Sequence, residues 1–174
     1  MTEPTYEATH YGELTGQADK AGRWGHTVMK PHTMDDPHDL ERFVGAQNAG
    51  NTYERAVEAL RRGRKTSHWM WFVFPQVAGL GYSATSRRYA IASLDEARAY
   101  LTHPVLGPRL RECAALVAAS STASAVELFG GIDSQKLQSS MSLFLRAVPS
   151  EPAFQQVLDR YFDGCTDDTT DELL

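Results

Sequence analysis

The densest collection of chemistry-bearing side chains in this sequence is the run Arg64-Lys65-Thr66-Ser67-His68-Trp69, with Trp71 just beyond it. Arginine and lysine hold phosphate or carboxylate groups, arginine through a bidentate fork. Ser67, if it caps the aromatic run as a helix, sits where backbone N–H groups favour an anion. Trp69 and Trp71 add stacking faces and indole donors. Such a set suits a ligand with a ring and a negative charge, and His68 is the candidate acid/base. A purely structural reading competes with this one. It places Trp69, Phe72 and Phe74 in the core, gives His68 a backbone carbonyl, and leaves Arg61, Arg62, Arg64 and Lys65 as a solvated face.

Three weaker constellations follow. Arg87 and Arg88 come after a glycine-containing stretch and the hydroxyls of Ser83, Thr85 and Ser86, an arrangement able to hold an anion without the spacing of a phosphate loop. Structurally, Arg88 would instead pair with a carboxylate such as Glu41 or Asp95. His103, before Pro104 and near Arg109, reads as a helix cap or turn residue, with catalysis as the alternative. Lys136 with Ser139 and Ser140 has base–nucleophile spacing but no GxSxG or SxxK pattern. Equally, Lys136 meets a carboxylate and the serines allow close helix packing. Arg64, Ser67, Trp69, Trp71, Arg88 and Lys136 thus form the candidate ligand set around His68. No HExxH or paired-cysteine spacing marks a metal, and no cofactor motif occurs.

The elements that must position these residues are helical. Leu40, Phe43, Val44 and Gln47 recur at helical spacing behind an Asp36-Pro37 start, and Gly50 closes that segment. Asn51-x-x-Glu54 loosely fits a capping box opening a second helix through Leu60. Residues 67–75 form a buried strand or a buried short helix, and periodicity does not separate the two. Ser93-x-x-Glu96 and Ser124-x-x-Glu127 are capping boxes, His103-Pro104 breaks one helix, and a longer one carries Leu106, Leu110, Cys113 and Val117. Asp133 is placed to cap a helix with Leu137, Met141 and Phe144, and Glu151-Pro152 starts the last. The expectation is an all-α fold: one compact domain of about seven helices over 36–164. A flexible or loosely docked extension over 1–35 precedes it, and a mobile acidic tail over 165–174 follows.

A chain of 174 residues is one domain's worth. Its net charge of -5 argues against a generic nucleic-acid binder, which would need the cations of 61–65 and 87–88 on one face. The absence of a long apolar run or a leader pattern implies a cytoplasmic protein with no membrane role. Cys113 and Cys165 lie far apart and make no CxxC pair; a reduced cytosolic protein is the expectation, with a disulfide as the alternative.

From Asp39 the chain resembles a bacterial family known as domain of unknown function 1810, which includes mycobacterial helical proteins and is sometimes labelled calpastatin. The resemblance rests on Asp39-Leu40-x-Arg42-Phe43-Val44-x-Ala46-Gln47, on Gly63-Arg64-Lys65-x-Ser67-His68-Trp69-Met70-Trp71-Phe72-Val73-Phe74-Pro75-Gln76, and on Gly79-Leu80-Gly81. Arg88-Tyr89-Ala90-Ile91, His103-Pro104-x-Leu106-Gly107-x-Arg109-Leu110 and Lys136-Leu137-x-Ser139-Ser140-Met141-x-Leu143-Phe144 complete it. It implies an all-helical, monomer-sized fold and no established activity. Nothing here supports the calpastatin label, since calpastatin is a long disordered inhibitor. In layout the chain is also similar to helical glycosidases acting on ADP-ribose and riboflavin-pathway intermediates. The cations, indoles and imidazole packed into short segments make hydrolysis or glycosidic cleavage of an ADP-ribose-like compound the candidate reaction. The sequence therefore supports a small anionic nucleotide-like or sugar-phosphate ligand. The alternative is a non-catalytic interaction domain whose extension or tail meets a protein partner.

Overall fold

The structure, a computed structural model, describes residues 36–174. Ten α-helices occur among them: α1 (Glu41–Asn48), α2 (Thr52–Arg61), α3 (Met70–Val73), α4 (Ala84–Arg88), α5 (Leu94–Thr102), α6 (Leu106–Ala118), α7 (Ala125–Phe129), α8 (Gly131–Ala147), α9 (Pro152–Tyr161) and α10 (Asp168–Glu172). Among the described residues no strand forms beyond one isolated parallel bridge, Val77 with Ile91. The fold is all-α.

Four of the shorter helices begin with a side-chain cap. Ser83, Ser93, Ser124 and Asp167 each accept a hydrogen bond from the N–H three residues on, which satisfies a donor with no partner inside the helix. Glu96 and Glu127 answer by accepting the N–H groups of Ala92 and Ala123. Both expected capping boxes are thus present, with the glutamates reaching one residue further back. The two looser starts are different. Asn51 adopts φ 54° and makes no side-chain cap. Asp36 lies outside α1, where its carboxylate accepts the N–H of Glu41.

Helix α8 is the centre of the molecule and packs against α5, α7, α9 and α10. It is buried on several sides, and its buried residues include Ser134, Ser139, Ser140 and Ser142 beside Leu137, Met141 and Phe144. A helix enclosed this way needs small residues where neighbours come close. Phe144 carries the aromatic core in two directions, with ring centroids 5.3 Å from Tyr100 and 5.8 Å from Phe154.

The aromatic run 67–75 resolves into the single turn of α3. Two elements were not foreseen. One is α4, too short for a periodic signal. The other is α10, formed by the acidic tail that was expected to be mobile. It packs on α8, where the buried Thr170 hydroxyl lies 2.7 Å from Ser139 Oγ and Arg146 binds Asp171 through both carboxylate oxygens. The expected extension over 1–35 lies outside the described residues.

Candidate functional site

Trp71 and Lys136 meet across a cleft of about 650 Å³. Five segments build it, α4 among them through Ser86. The turn of α3 presents Trp71, and the 76–83 loop follows. The parallel bridge fixes that loop, with Ile91 N–H donating to Gln76 O and Ala78 N–H to Ile91 O, both at 2.8 Å. Gly81 lets it close on α4, because a Cβ there would lie 2.4 Å from Ser86 Cβ. Helix α8 supplies Ile132, Gln135, Lys136 and Ser139, whose spacing puts them on one face. The start of α10 adds Asp167 and Thr169.

The charges centre on Asp133, one turn before Lys136. Lys136 Nζ lies 2.7 Å from Asp133 Oδ1, and Lys65 Nζ lies 2.6 Å from Oδ2. The Lys65 side chain is only 9% exposed. Burial pushes the Asp133 carboxyl up, but the two ammonium groups outweigh it and hold the group below its ordinary value. Lys136 Nζ also stands 4.7 Å from the Trp71 ring centroid, and Lys65 Nζ 5.4 Å from that of Trp69. Two cations sharing one anion leave one positive charge in surplus. Asp167, the carboxylate on the cleft wall itself, caps α10 by accepting the Thr170 N–H at 2.9 Å and its hydroxyl at 2.6 Å, and keeps its negative charge.

The residues singled out from sequence divide. Trp71 and Lys136 line the cleft. His68 is exposed and stacks beside Trp71, ring centroids 6.5 Å apart, without lining the cleft. Trp69 is fully buried between Phe74 and Phe129, so it is a core residue and not a ligand platform. Its indole N–H has no partner among the described residues. Arg64 and Ser67 line a separate groove against α2. Arg88 is exposed over the Tyr89 ring, 5.6 Å from its centroid, and makes no ion pair among the described residues. Of the carboxylates expected to pair with it, Asp95 is held by Arg98 at 2.7 Å, and Glu41 makes no ion pair among the described residues. The Lys136–serine nucleophile pair does not form, since Lys136 binds Asp133 and Ser139 binds Thr170. His103 is a cap, its Nδ1 accepting the N–H groups of Val105 and Leu106.

Sequence reasoning missed Lys65 and Asp133 as partners of Lys136. The only local signal is Asp133 one turn before Lys136, and by sequence alone it fits a helix cap equally well. Among the described residues no group of three His, Cys, Asp or Glu side chains could hold a metal ion, and both cysteines are free. None of the described helices is long and apolar enough to cross a membrane.

An all-helical domain with a tryptophan–lysine cleft is the class that fold and site define. Residues 37–174 match the family described as "Protein of unknown function (DUF1810)", and the chain belongs to that family. It is also similar to the crystal structure of the conserved hypothetical protein Rv1873 from Mycobacterium tuberculosis. The two share 52% sequence identity with a TM-score of 0.77, over 80% of this chain and 98% of that one. No curated protein matches the chain.

Proposed function

We propose that the Trp71–Lys136 cleft binds a small anionic ligand of the nucleotide-like or sugar-phosphate type. One observation carries this reading. Lys136 shares its carboxylate with a second, nearly buried lysine while standing over an indole at the cleft wall. The surplus positive charge attracts an anion, and the half-buried Trp71 accepts a ring. The cleft's volume falls within the ordinary range for small-ligand sites, ~300–1,000 Å³.

The candidate reaction on this reading is hydrolysis of an ADP-ribose-like compound. His68, beside Trp71 at the solvent edge, is the acid/base to be tested. Asp133 does not suit that task, because two ammonium groups keep it ionised.

The test is a thermal-shift screen of the full chain against nucleotides, ADP-ribose and sugar phosphates, repeated with Trp71→Ala and Lys136→Gln. A ligand at one hundred times its dissociation constant adds about 2.7 kcal/mol of stability. The expected result is an upward shift that both substitutions remove. Absence of any shift, with both variants folded, overturns the reading and favours a non-catalytic interaction domain. Incubating a binding ADP-ribose-like compound with wild type and His68→Ala, and separating products by chromatography, decides whether His68 acts in catalysis.

A further inference from the structure

Taking the binding reading as its basis, we infer that the part of the ligand seated on Trp71 is a sugar ring, with the ligand's anionic group beside Lys136. Lys136 and Asp167 are the charged side chains on the cleft wall, and they carry opposite signs. Lys136, which shares Asp133 with Lys65 and stands 4.7 Å from the Trp71 ring centroid, makes the region beside Trp71 positive, so an anionic group seats there.

The neutral lining points to hydroxyl groups. Gln76, Gln135 and Gln138 face the cleft with Ser83, Ser86 and Thr169. Among the described residues the side-chain amides of Gln76 and Gln135 make no hydrogen bond, while the Gln138 amide donates to Cys165 O and leaves its Oε1 without a partner. An amide offers a donor and an acceptor side by side, which complements a ring hydroxyl that is both. The carbon–hydrogen face of a sugar ring is apolar and lies flat on an indole. At the rim stand Tyr82 and Ile132, 86% and 75% exposed. Side chains of that size left in water beside a polar cleft are placed to cover the second face of a bound ring.

The experiment is calorimetric titration of the full chain with sodium glucuronate, glucose and AMP at low ionic strength, using wild type, Trp71→Leu, Lys136→Gln and Gln135→Ala. Gln135 is exposed, so that variant keeps the site testable if Trp71→Leu fails to fold. Glucuronate is expected to bind most tightly. Trp71→Leu weakens both sugars about tenfold, as loss of an aromatic contact does. Gln135→Ala weakens both by several-fold. Lys136→Gln weakens glucuronate about tenfold and leaves glucose unchanged. If AMP binds more tightly than glucuronate and still depends on Trp71 and Lys136, the sugar assignment is overturned while the anion cleft stands. Equal weakening of glucose and glucuronate by Lys136→Gln overturns the charge argument. No binding of any of the three, by wild type that is folded, overturns both this inference and the reading beneath it.

Discussion

Removing the charge of Asp133 while keeping its shape tests whether one carboxylate holds both lysines. In Asp133→Asn, Lys65 and Lys136 lose the oxygens that lie 2.6 Å and 2.7 Å from their ammonium groups. Breaking a buried ion pair by deleting one partner costs about 3–5 kcal/mol. Lys65 is nearly buried, but Asp133 and Lys136 are 17% and 21% exposed, so solvent screening reduces the figure to about 2 kcal/mol. For a domain of this size that corresponds to a fall in melting temperature of roughly 8 °C. Urea unfolding at neutral pH measures it. Adding Lys65→Met recovers part of the loss by removing the stranded ammonium group. The pH dependence has a definite sign. The Asp133 carboxyl titrates below its ordinary value, so its contribution is complete above about pH 4 and fades only as the pH falls through the lower folded value. The difference between wild type and variant therefore stays constant from pH 7 to pH 5 and shrinks in stronger acid. A loss under about 0.5 kcal/mol at pH 7, the usual size of a surface substitution, would refute the idea that this carboxylate organises the site. So would a difference that collapses between pH 7 and pH 5.

Three further outcomes follow from the same structure. Arg42→Met should cost about 3 kcal/mol or more in urea unfolding, because it strands the buried Glu96 and frees carbonyls at His38, Asp39, Arg88 and Ala90. Gly107→Ala should destabilise by about 3 kcal/mol, since the new Cβ would lie 2.1 Å from the Leu101 carbonyl oxygen and backbone cannot swing aside as a side chain can. Alkylation of native protein at pH 8 should label Cys165, which is exposed, and spare Cys113, whose thiol burial pushes up to about 12; mass spectrometry of the digest reads the result.

The parts of this fold legible in sequence are those written within a few residues. Ser93 with Glu96 and Ser124 with Glu127 mark helix starts because the capping atoms are three positions apart. Gly50 and Gly63 mark helix ends because both adopt positive φ, at 57° and 70°. Short elements set by tertiary packing left no such trace. Helix α10 reads as a solvated acidic tail. Its order comes from Thr170 on Ser139 and Asp171 on Arg146, contacts made 31 and 25 residues away in the chain. The site follows the same rule. Composition drew attention to 64–71, but which indole faces the core and which the cleft depends on how α3 is seated. Trp69 points inward and Trp71 outward, and no periodicity over a single helical turn distinguishes them. Lys65 and Asp133 are brought together only by the fold, with Lys65 N–H donating to Leu128 O at 2.8 Å just before α8 begins.

Trp71 and Lys136 together receive an anionic ligand on the reading proposed above. The most direct measurement is a nuclear magnetic resonance titration of ¹⁵N-labelled full chain with glucuronate, ribose 5-phosphate and ADP-ribose, following the tryptophan indole N–H signals assigned by substitution. At least one of these compounds is expected to move the Trp71 signal in a saturable way while that of Trp69, sealed in the core, stays in place. Lys136→Gln should move the titration to about tenfold higher concentrations. A Trp71 signal that none of the three shifts, or a titration that Lys136→Gln leaves in place, would contradict that reading.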